Sequence, residues 1–375
     1  MKFAVVKDAL SKALGSVQRA VSTRGPLPIL AHVKLAVVGV GPGAKAILTG
    51  TDLEIEVEVE IQVAGFEEGA LTLPAKTFGE IVGKLPAGAE VEIATGENNQ
   101  AIITCKRSKF TIRGLAATEF PQLALIGEVS TLTLPADGLL RGIRSVLHAA
   151  AGEEKGVISG VLVTLSAGEL NLVATDGYRL AWRTDQVEAP EAGDVSVVVP
   201  RRTLDDLSRH LSAVPEGGTV EISLARSQVR FSLGDRRITS RLVDGQFPAF
   251  QAIVPKTFKS EAQINRAGFL AAVERVSIMA SDREANLIKL EVEAGELRLS
   301  ADNQEVGNSD EAISVEFPGE AMVMFFNAMF LAEALKHLEG ETVRMALNAP
   351  LAPVLIWPDG SPQQRSLLMP VNRVG

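Results

Sequence analysis

From position 53 to 61 every second residue is apolar (Leu53, Ile55, Val57, Val59, Ile61) and every residue between them is a glutamate (Glu54, Glu56, Glu58, Glu60). A period of two puts the sets on opposite faces of a strand, and the carboxylate face is expected in solvent. Residues 8–22 follow another rhythm, with Ala9, Leu10, Ala13, Leu14, Val17 and Val21 sharing one face of an amphipathic helix. Similar helices are predicted over 137–151 and 267–281, and a second set over 74–85, 200–211 and 327–338. Proline opens two of the second set, which suits a first helical turn, where an N–H has no partner.

These elements recur. The second helices start 126 and 127 residues apart, and an acidic turn repeats as Thr51-Asp52, Thr175-Asp176 and Ala301-Asp302 at spacings of 124 and 126. Strand starts recur as Val91-Glu92-Ile93, Val220-Glu221-Ile222 and Val343-Arg344-Met345, and Phe120-Pro121 and Phe247-Pro248 close the first two copies. A period near 125 in a chain of 375 predicts three tandem domains, 1–127, 128–257 and 258–375. Each is expected to be α+β, with two helices on a mostly antiparallel sheet.

Composition narrows this picture. With 46% hydrophobic and 22% charged residues the chain is expected to fold. The start alternates like a strand and carries Lys7, Asp8 and Lys12, unlike a secretory leader. The richest apolar stretch, 320–336, is interrupted by Asn327 and Glu333 and is too short to span a membrane. Cys105 is the only cysteine, so no intramolecular disulfide can form, and a cytoplasmic location is expected.

The net charge of −9 argues on average against nucleic acid, but its distribution differs. The three domains carry 0, −2 and −7, and the six helical windows with their flanks carry +7, leaving −16 elsewhere. Positive helices on acidic sheets form a segregation that the total conceals.

Catalytic motifs are sparse. Gly39-x-Gly41-x-Gly43 precedes a strand rather than a helix and reads as a hairpin turn, not a dinucleotide fingerprint. No phosphate loop or nucleophile elbow occurs. His32, His148, His210 and His337 are too scattered for a zinc module, and three lie in or beside helices, where surface or capping roles are expected. Asp52 and Asp176 are read as turn residues accepting backbone N–H groups, with a metal-dependent phosphoesterase as the competing reading. No cofactor, no metal and no enzymatic activity are expected.

Seven stretches occur in order along the chain: MKFAVVKDALSKAL at 1–14, RGPLPIL at 24–30, LTGTDLE at 48–54, VATDGYRL at 173–180, VPRR at 199–202, SRLVDGQF at 240–247 followed by Pro248, and LLMPV at 367–371. Together they resemble the bacterial DNA polymerase III β subunit family, the replicative sliding clamps. The resemblance implies a head-to-tail homodimer, a ring of six domains whose helices face double-stranded DNA. DNA-binding candidates are Lys12, Arg24, Lys76, Arg141, Arg201 and Arg202; Arg24 matches a DNA-contacting position of the family, and the others follow from helix location. The loop at 152–157 reads GEEKGV, where family members with a strong DNA contact carry aromatic and glutamine residues.

By the same resemblance a docking pocket for clients comprises Ile158, Thr175, Gly177, Tyr178, Arg179, Leu180, Pro248, Ile253, Val254, Asn327, Phe330, Met369, Pro370 and Val371. Implied partners are the DNA polymerase III alpha subunit, the clamp loader and other polymerases and repair proteins, which insert short motifs with Gln and Leu/Phe anchors. Apolar side chains with a methionine at the end of the chain suit several ligands. The end reads MPVNRVG where the family usually has MPVR or MPMR, so Asn372 is inserted before Arg373. Ring closure would set Ile81, Arg107, Lys109 and Phe110 of domain 1 against Ile278, Met279, Glu305, Asp310 and Glu311 of domain 3. A triple-repeat scaffold that docks peptides without enclosing DNA is the alternative.

Overall fold

One order of elements occurs three times in the computed structural model, which describes residues 1–22, 27–124, 127, 130–188, 194–280, 286–303 and 305–372. The first copy runs β1 (Lys2–Val6), α1 (Lys7–Val17), β2 (His32–Val38), β3 (Gly41–Thr51), β4 (Ile55–Glu67), β5 (Gly69–Pro74), α2 (Ala75–Lys84), β6 (Glu90–Thr95), β7 (Gln100–Cys105) and β8 (Ser108–Arg113). The second runs β9 (Ser130–Pro135), α3 (Ala136–Val146), β10 (Gly160–Ser166), β11 (Glu169–Thr175), β12 (Arg179–Gln186), β13 (Val195–Pro200), α4 (Arg201–Leu211), β14 (Thr219–Ala225), β15 (Gln228–Leu233) and β16 (Arg236–Arg241). The third runs β17 (Ser260–Asn265), α5 (Arg266–Ser277), β18 (Leu287–Glu293), β19 (Glu296–Asn303), β20 (Gly307–Ser314), β21 (Met322–Asn327), α6 (Ala328–His337), β22 (Thr342–Leu347), β23 (Val354–Pro358) and β24 (Gln364–Leu368).

The strands form three antiparallel sheets. One has the order β8-β7-β6-β1-β4-β16-β15-β14-β9, with β3, β2 and β5 continuing from β4; the others run β13-β10-β11-β12-β24-β23-β22-β17 and β20-β19-β18-β21. Two ladders join different copies: β4 to β16, with Val57 opposite Ile238, and β12 to β24, with Leu180 opposite Leu367. The compact units follow these joins, one formed by Met1–Ala136 with Arg209–Leu242 and the other by Asp137–Ser208 with Val243–Gly375. The middle copy thus gives half its strands to each unit.

In the first unit Leu10, Ala13, Leu14 and Val17 of α1 are buried as the sequence spacing predicts, while Ala9 of the predicted face is exposed and Val21 lies beyond the end of the helix. Each large side chain buried in this way contributes about 1.5–3 kcal/mol. Gln18 Nε2 donates to the Ala75 carbonyl at 2.6 Å, tying the end of α1 to the start of α2. α1 also lies close on β3, where a Cβ on Gly50 would stand 2.3 Å from the Val17 carbonyl oxygen. In the second unit Phe269, Val273 and Val276 of α5 share a core with Leu331 and Leu335 of α6 and Leu290 and Leu299 of the small sheet. Asn265 and Asn327 cap these helices, their side chains accepting from Gly268 N and Phe330 N.

Several expectations need correction. The glutamate face of β4 is not solvated throughout, because β4 sits inside the sheet and the chain near Leu123 covers it. Glu56 is 5% exposed and its Oε2 accepts from Leu123 N at 3.1 Å; burial pushes its carboxyl above the usual range, which that hydrogen bond opposes. Glu60 pairs with Lys45 and Arg237. Pro74 and Pro200 end strands instead of starting helices: Pro74 has an extended ψ of 113° and lies opposite His32, and Pro200 lies opposite Gly160. Asp302 lies within β19, and the turn residue there is Asn303, whose Oδ1 accepts from Glu305 N. The glycine hairpin forms as expected, Gly39 and Gly41 taking φ of 83° and 88° between β2 and β3.

Gly50→Ala forces a backbone carbonyl to move and is expected to destabilise the protein by on the order of 2 kcal/mol. Gly43→Ala, which meets nothing within 4 Å, is the control, and chemical denaturation of both checks the difference.

Candidate functional site

The Thr-Asp turn is built identically in the first two copies. Thr175 Oγ1 donates to the Arg179 carbonyl at 2.6 Å and accepts from Gly177 N at 3.1 Å, while Asp176 Oδ1 accepts from Tyr178 N and Arg179 N, both at 3.0 Å. Thr51 and Asp52 repeat this with Ile55, Leu53 and Glu54. These carboxylates are occupied by turn N–H groups, as an aspartate turn requires. Among the described residues no three His, Cys, Asp or Glu side chains form a group that could hold a metal ion.

In the second copy the turn carries further chemistry. Tyr178 stands 67% exposed at its tip. Arg179, 9% exposed, points the other way. Its Nε donates to Asp176 Oδ2 at 2.9 Å, its Nη1 to Glu333, and its Nη2 to the His148 carbonyl at 2.7 Å. The guanidinium also lies 4.3 Å from the Phe330 ring centroid, a cation–π geometry. Asn327, by capping α6, sets the position of Phe330 and Glu333.

The end of the chain completes the surface. Met369 N donates to the Tyr178 carbonyl at 3.0 Å, and Val371 N donates to the Phe325 carbonyl at 2.8 Å, so residues 369–371 run between the turn and β21. Beside them Leu180, Val173, Phe247 and Leu367 form an apolar cluster against which Val254, Val157, Phe250 and Trp182 pack. Ile253 and Met369 are 50% and 38% exposed, and Pro248 is also exposed. The structure thus brings together most of the expected pocket. Ile158 is half-buried, its carbonyl accepts from Ala151 N, and its neighbour Val157 packs on the cluster. Leu367, Phe247 and Trp182 were not among the expected residues. The alternation Leu180, Trp182 on β12 is the sequence signal that could have found Trp182.

Two histidines depart from the surface role expected of them. His148 is 8% exposed and stacks on His337 with ring centroids 4.5 Å apart and planes 4° from parallel; His210 is 2% exposed. The short turn at Leu147–Ala149 folds His148 under β12 and against α6, so burial, reinforced by the nearby His337, Arg179 and Arg201, lowers its pKa to about 3. His148 is neutral at physiological pH.

Five of the six candidate DNA contacts lie on helices. Lys12, Lys76, Arg141, Arg201 and Arg202 are exposed on α1, α2, α3 and α4. Arg141 pairs with Asp137 at 2.6 Å, and Arg201 Nη1 donates to the Ala150 carbonyl at 2.9 Å. Arg24 lies outside the described residues. The loop at 152–157 exposes Glu153, Glu154 and Lys155.

Six of the nine candidate contacts between protomers fall on or beside sheet edges. β8, with Lys109 and Phe110, ends the first sheet, and Arg107 precedes it; β20, with Asp310 and Glu311, ends the third, and Glu305 precedes it. Ile81 and Met279 are half-buried, and Ile278 is 74% exposed. Glu311 already holds Arg275 through two bonds of 2.9 and 2.5 Å, and Asp310 holds Arg298 at 2.8 Å. The Arg275 guanidinium keeps the Glu311 carboxyl below the usual range. Much of the acidity expected to face a partner is therefore balanced within the copy.

Three family models match the chain: the N-terminal, central and C-terminal domains of the DNA polymerase III beta subunit, over residues 1–124, 133–249 and 251–372. The chain is 34% identical to the beta sliding clamp of Synechococcus elongatus and 32% identical to that of Bacillus subtilis, with 99% of this chain and at least 99% of each relative covered. Among solved structures it is similar to the DNA polymerase sliding clamp of Bacillus subtilis (TM-score 0.92, 31% identity, 99% of each chain) and to that of Pseudomonas aeruginosa (TM-score 0.91, 29% identity, 99% of each chain).

His148 yields a pH prediction. Unfolding returns its pKa from about 3 to the ordinary 6.5, so the unfolded chain binds the extra proton between those values. The contribution of neutral His148 is whole above pH 6.5 and is lost as pH falls toward 3, by about 1.4 kcal/mol per pH unit. His148→Phe is expected to lose less stability than the wild type between pH 7 and 4, by roughly 3 kcal/mol in denaturation experiments.

Proposed function

This chain belongs to the DNA polymerase III beta subunit family, whose function is that of a sliding clamp, and from that premise we propose that two copies close head to tail into a ring around double-stranded DNA. The observation that carries this reading is the placement of charge: exposed Lys12, Lys76, Arg141, Arg201 and Arg202 stand on α1 to α4, and the helical windows sum to +7 where the rest of the chain carries −16. A few exposed lysines and arginines attract phosphates without reading bases and release them easily, which suits sliding. Retention then comes from enclosure rather than affinity. The role is accessory, holding a polymerase on its template.

The β8 and β20 edges support the mode of closure, since an unpaired strand edge offers N–H and C=O groups to another copy. Ile81, Phe110, Ile278 and Met279 would supply the apolar part of that contact, and Arg107 and Lys109 would orient it toward Glu305 and the β20 acids. The Tyr178–Arg179–Phe330–Met369 surface, with the apolar cluster beside it, would dock clients: the polymerase alpha subunit, the clamp loader and other polymerases and repair proteins through short motifs. Thr175, Gly177 and Asn327 shape that site, and Leu180, Pro248, Ile253, Val254, Pro370 and Val371 line it.

Loaded onto closed circular DNA, the protein is expected to remain bound through gel filtration at elevated salt and to escape when the circle is cut. Equal loss from both forms would leave a peptide-docking scaffold as the reading. Ile278→Glu is expected to move the species in sedimentation from about twice 39.8 kDa toward 39.8 kDa. Deleting 369–375 is expected to abolish binding of a peptide with Gln and Leu-Phe anchors while the mass of the assembly stays unchanged.

A further inference from the structure

The sheet face that carries the docking cluster does not stop at Leu180 and Leu367. In an antiparallel pair, residues two apart on each strand share a face. The register therefore continues Leu180–Leu367 into Trp182–Arg365 on the same side. Arg179 and Arg183, the alternate residues of β12, are buried on the other side. Beyond the cluster lies an open groove of about 630 Å³, with Trp182, Arg365, Thr184 and Gln363 among its walls. Trp182 is half-buried, tilted against Phe250 at 6.4 Å, and the Arg365 guanidinium stands 5.8 Å from its ring centroid.

Arg365 is held in place without being neutralised. Its Nε donates to the Pro362 carbonyl at 2.8 Å, and it forms no ion pair among the described residues. The acids of the groove are engaged otherwise: Asp185 with Arg183 at 2.8 Å, and Glu169 with the Asn171 amide at 3.1 Å. A guanidinium packed on an indole beside an apolar pocket offers its remaining N–H groups to a carboxylate. Two residues of extended chain span about 6.6 Å, the step from one cross-strand pair to the next.

We propose that the Trp182–Arg365 pair is an additional client subsite, which takes an Asp or Glu side chain two residues away from the apolar anchor of a bound extended peptide. This rests on the docking site described under the proposed function. It makes the site selective for motifs with an acidic flank.

The test uses the full-length protein and fluorescein-labelled peptides with Gln and Leu-Phe anchors, carrying Asp, Ala or Lys two residues before the first anchor or two after the last. Anisotropy is expected to show that Asp on one flank binds the wild type about three-fold more tightly than Ala, the scale of an exposed ion pair. That preference is expected to vanish in Arg365→Ala and to invert toward Lys in Arg365→Glu. In a Trp357→Phe background, only the Asp-flanked peptide is expected to shift the Trp182 emission. Peptides that bind regardless of flanking charge, or a preference that survives Arg365→Ala, overturn the subsite and leave the docking site standing. Failure of every peptide to bind the wild type overturns the docking site, and the subsite with it.

Discussion

The buried guanidinium of Arg179 is the constraint on which the second unit's functional surface depends. A charge this far from solvent is stable only when paired and fully hydrogen-bonded. Asp176, Glu333, the His148 carbonyl and the Phe330 ring meet that demand from three directions. Satisfying one side chain therefore fixes a turn, a helix and a short 3-10 segment together. Tyr178 is held outward and Phe330 inward as a consequence, and Met369, just past β24, hydrogen-bonds to the turn so positioned.

Comparison of the three copies shows how a repeated scaffold comes to carry one such site. The first copy has the same Thr-Asp turn, but Ile55 occupies the position of Arg179 and is buried in a continuous sheet. Among the described residues the third shows no Thr-Asp turn, because Asp302 lies within a strand that continues into its hairpin. Only the second combines the turn with an arginine and a helix able to receive it. The β12–β24 ladder then adds the terminal strand, so residues nearly 190 apart in sequence share one face.

Electrostatics follows the same division between local pattern and placement. The alternating glutamates of 54–60 are chemically alike, yet Glu54, in the turn before β4, is exposed, Glu60 is paired and Glu56 is buried, because different neighbours cover each one. His148 shows the same effect more strongly, neutral because α6 and β12 exclude water from it. The acids of β20 are quenched by arginines of their own copy, so contact there would depend more on shape and strand pairing than on net charge.

The residue pattern alone determined the helices, the strand alternation and the three-fold order, since these depend on periods of 3.6 and 2 and on turn residues within a few positions of each other. It also carried the family motifs, and with them Thr175 to Leu180 and Met369 to Val371. The order β4-β16 and β12-β24, the division of the middle copy between two units, the burial of Glu56 and His148, and the joining of Trp182 to Arg365 were decided only by the tertiary structure. Each of these depends on which distant strand or helix comes to lie alongside, and sequence periodicity describes what a residue faces without naming its neighbour.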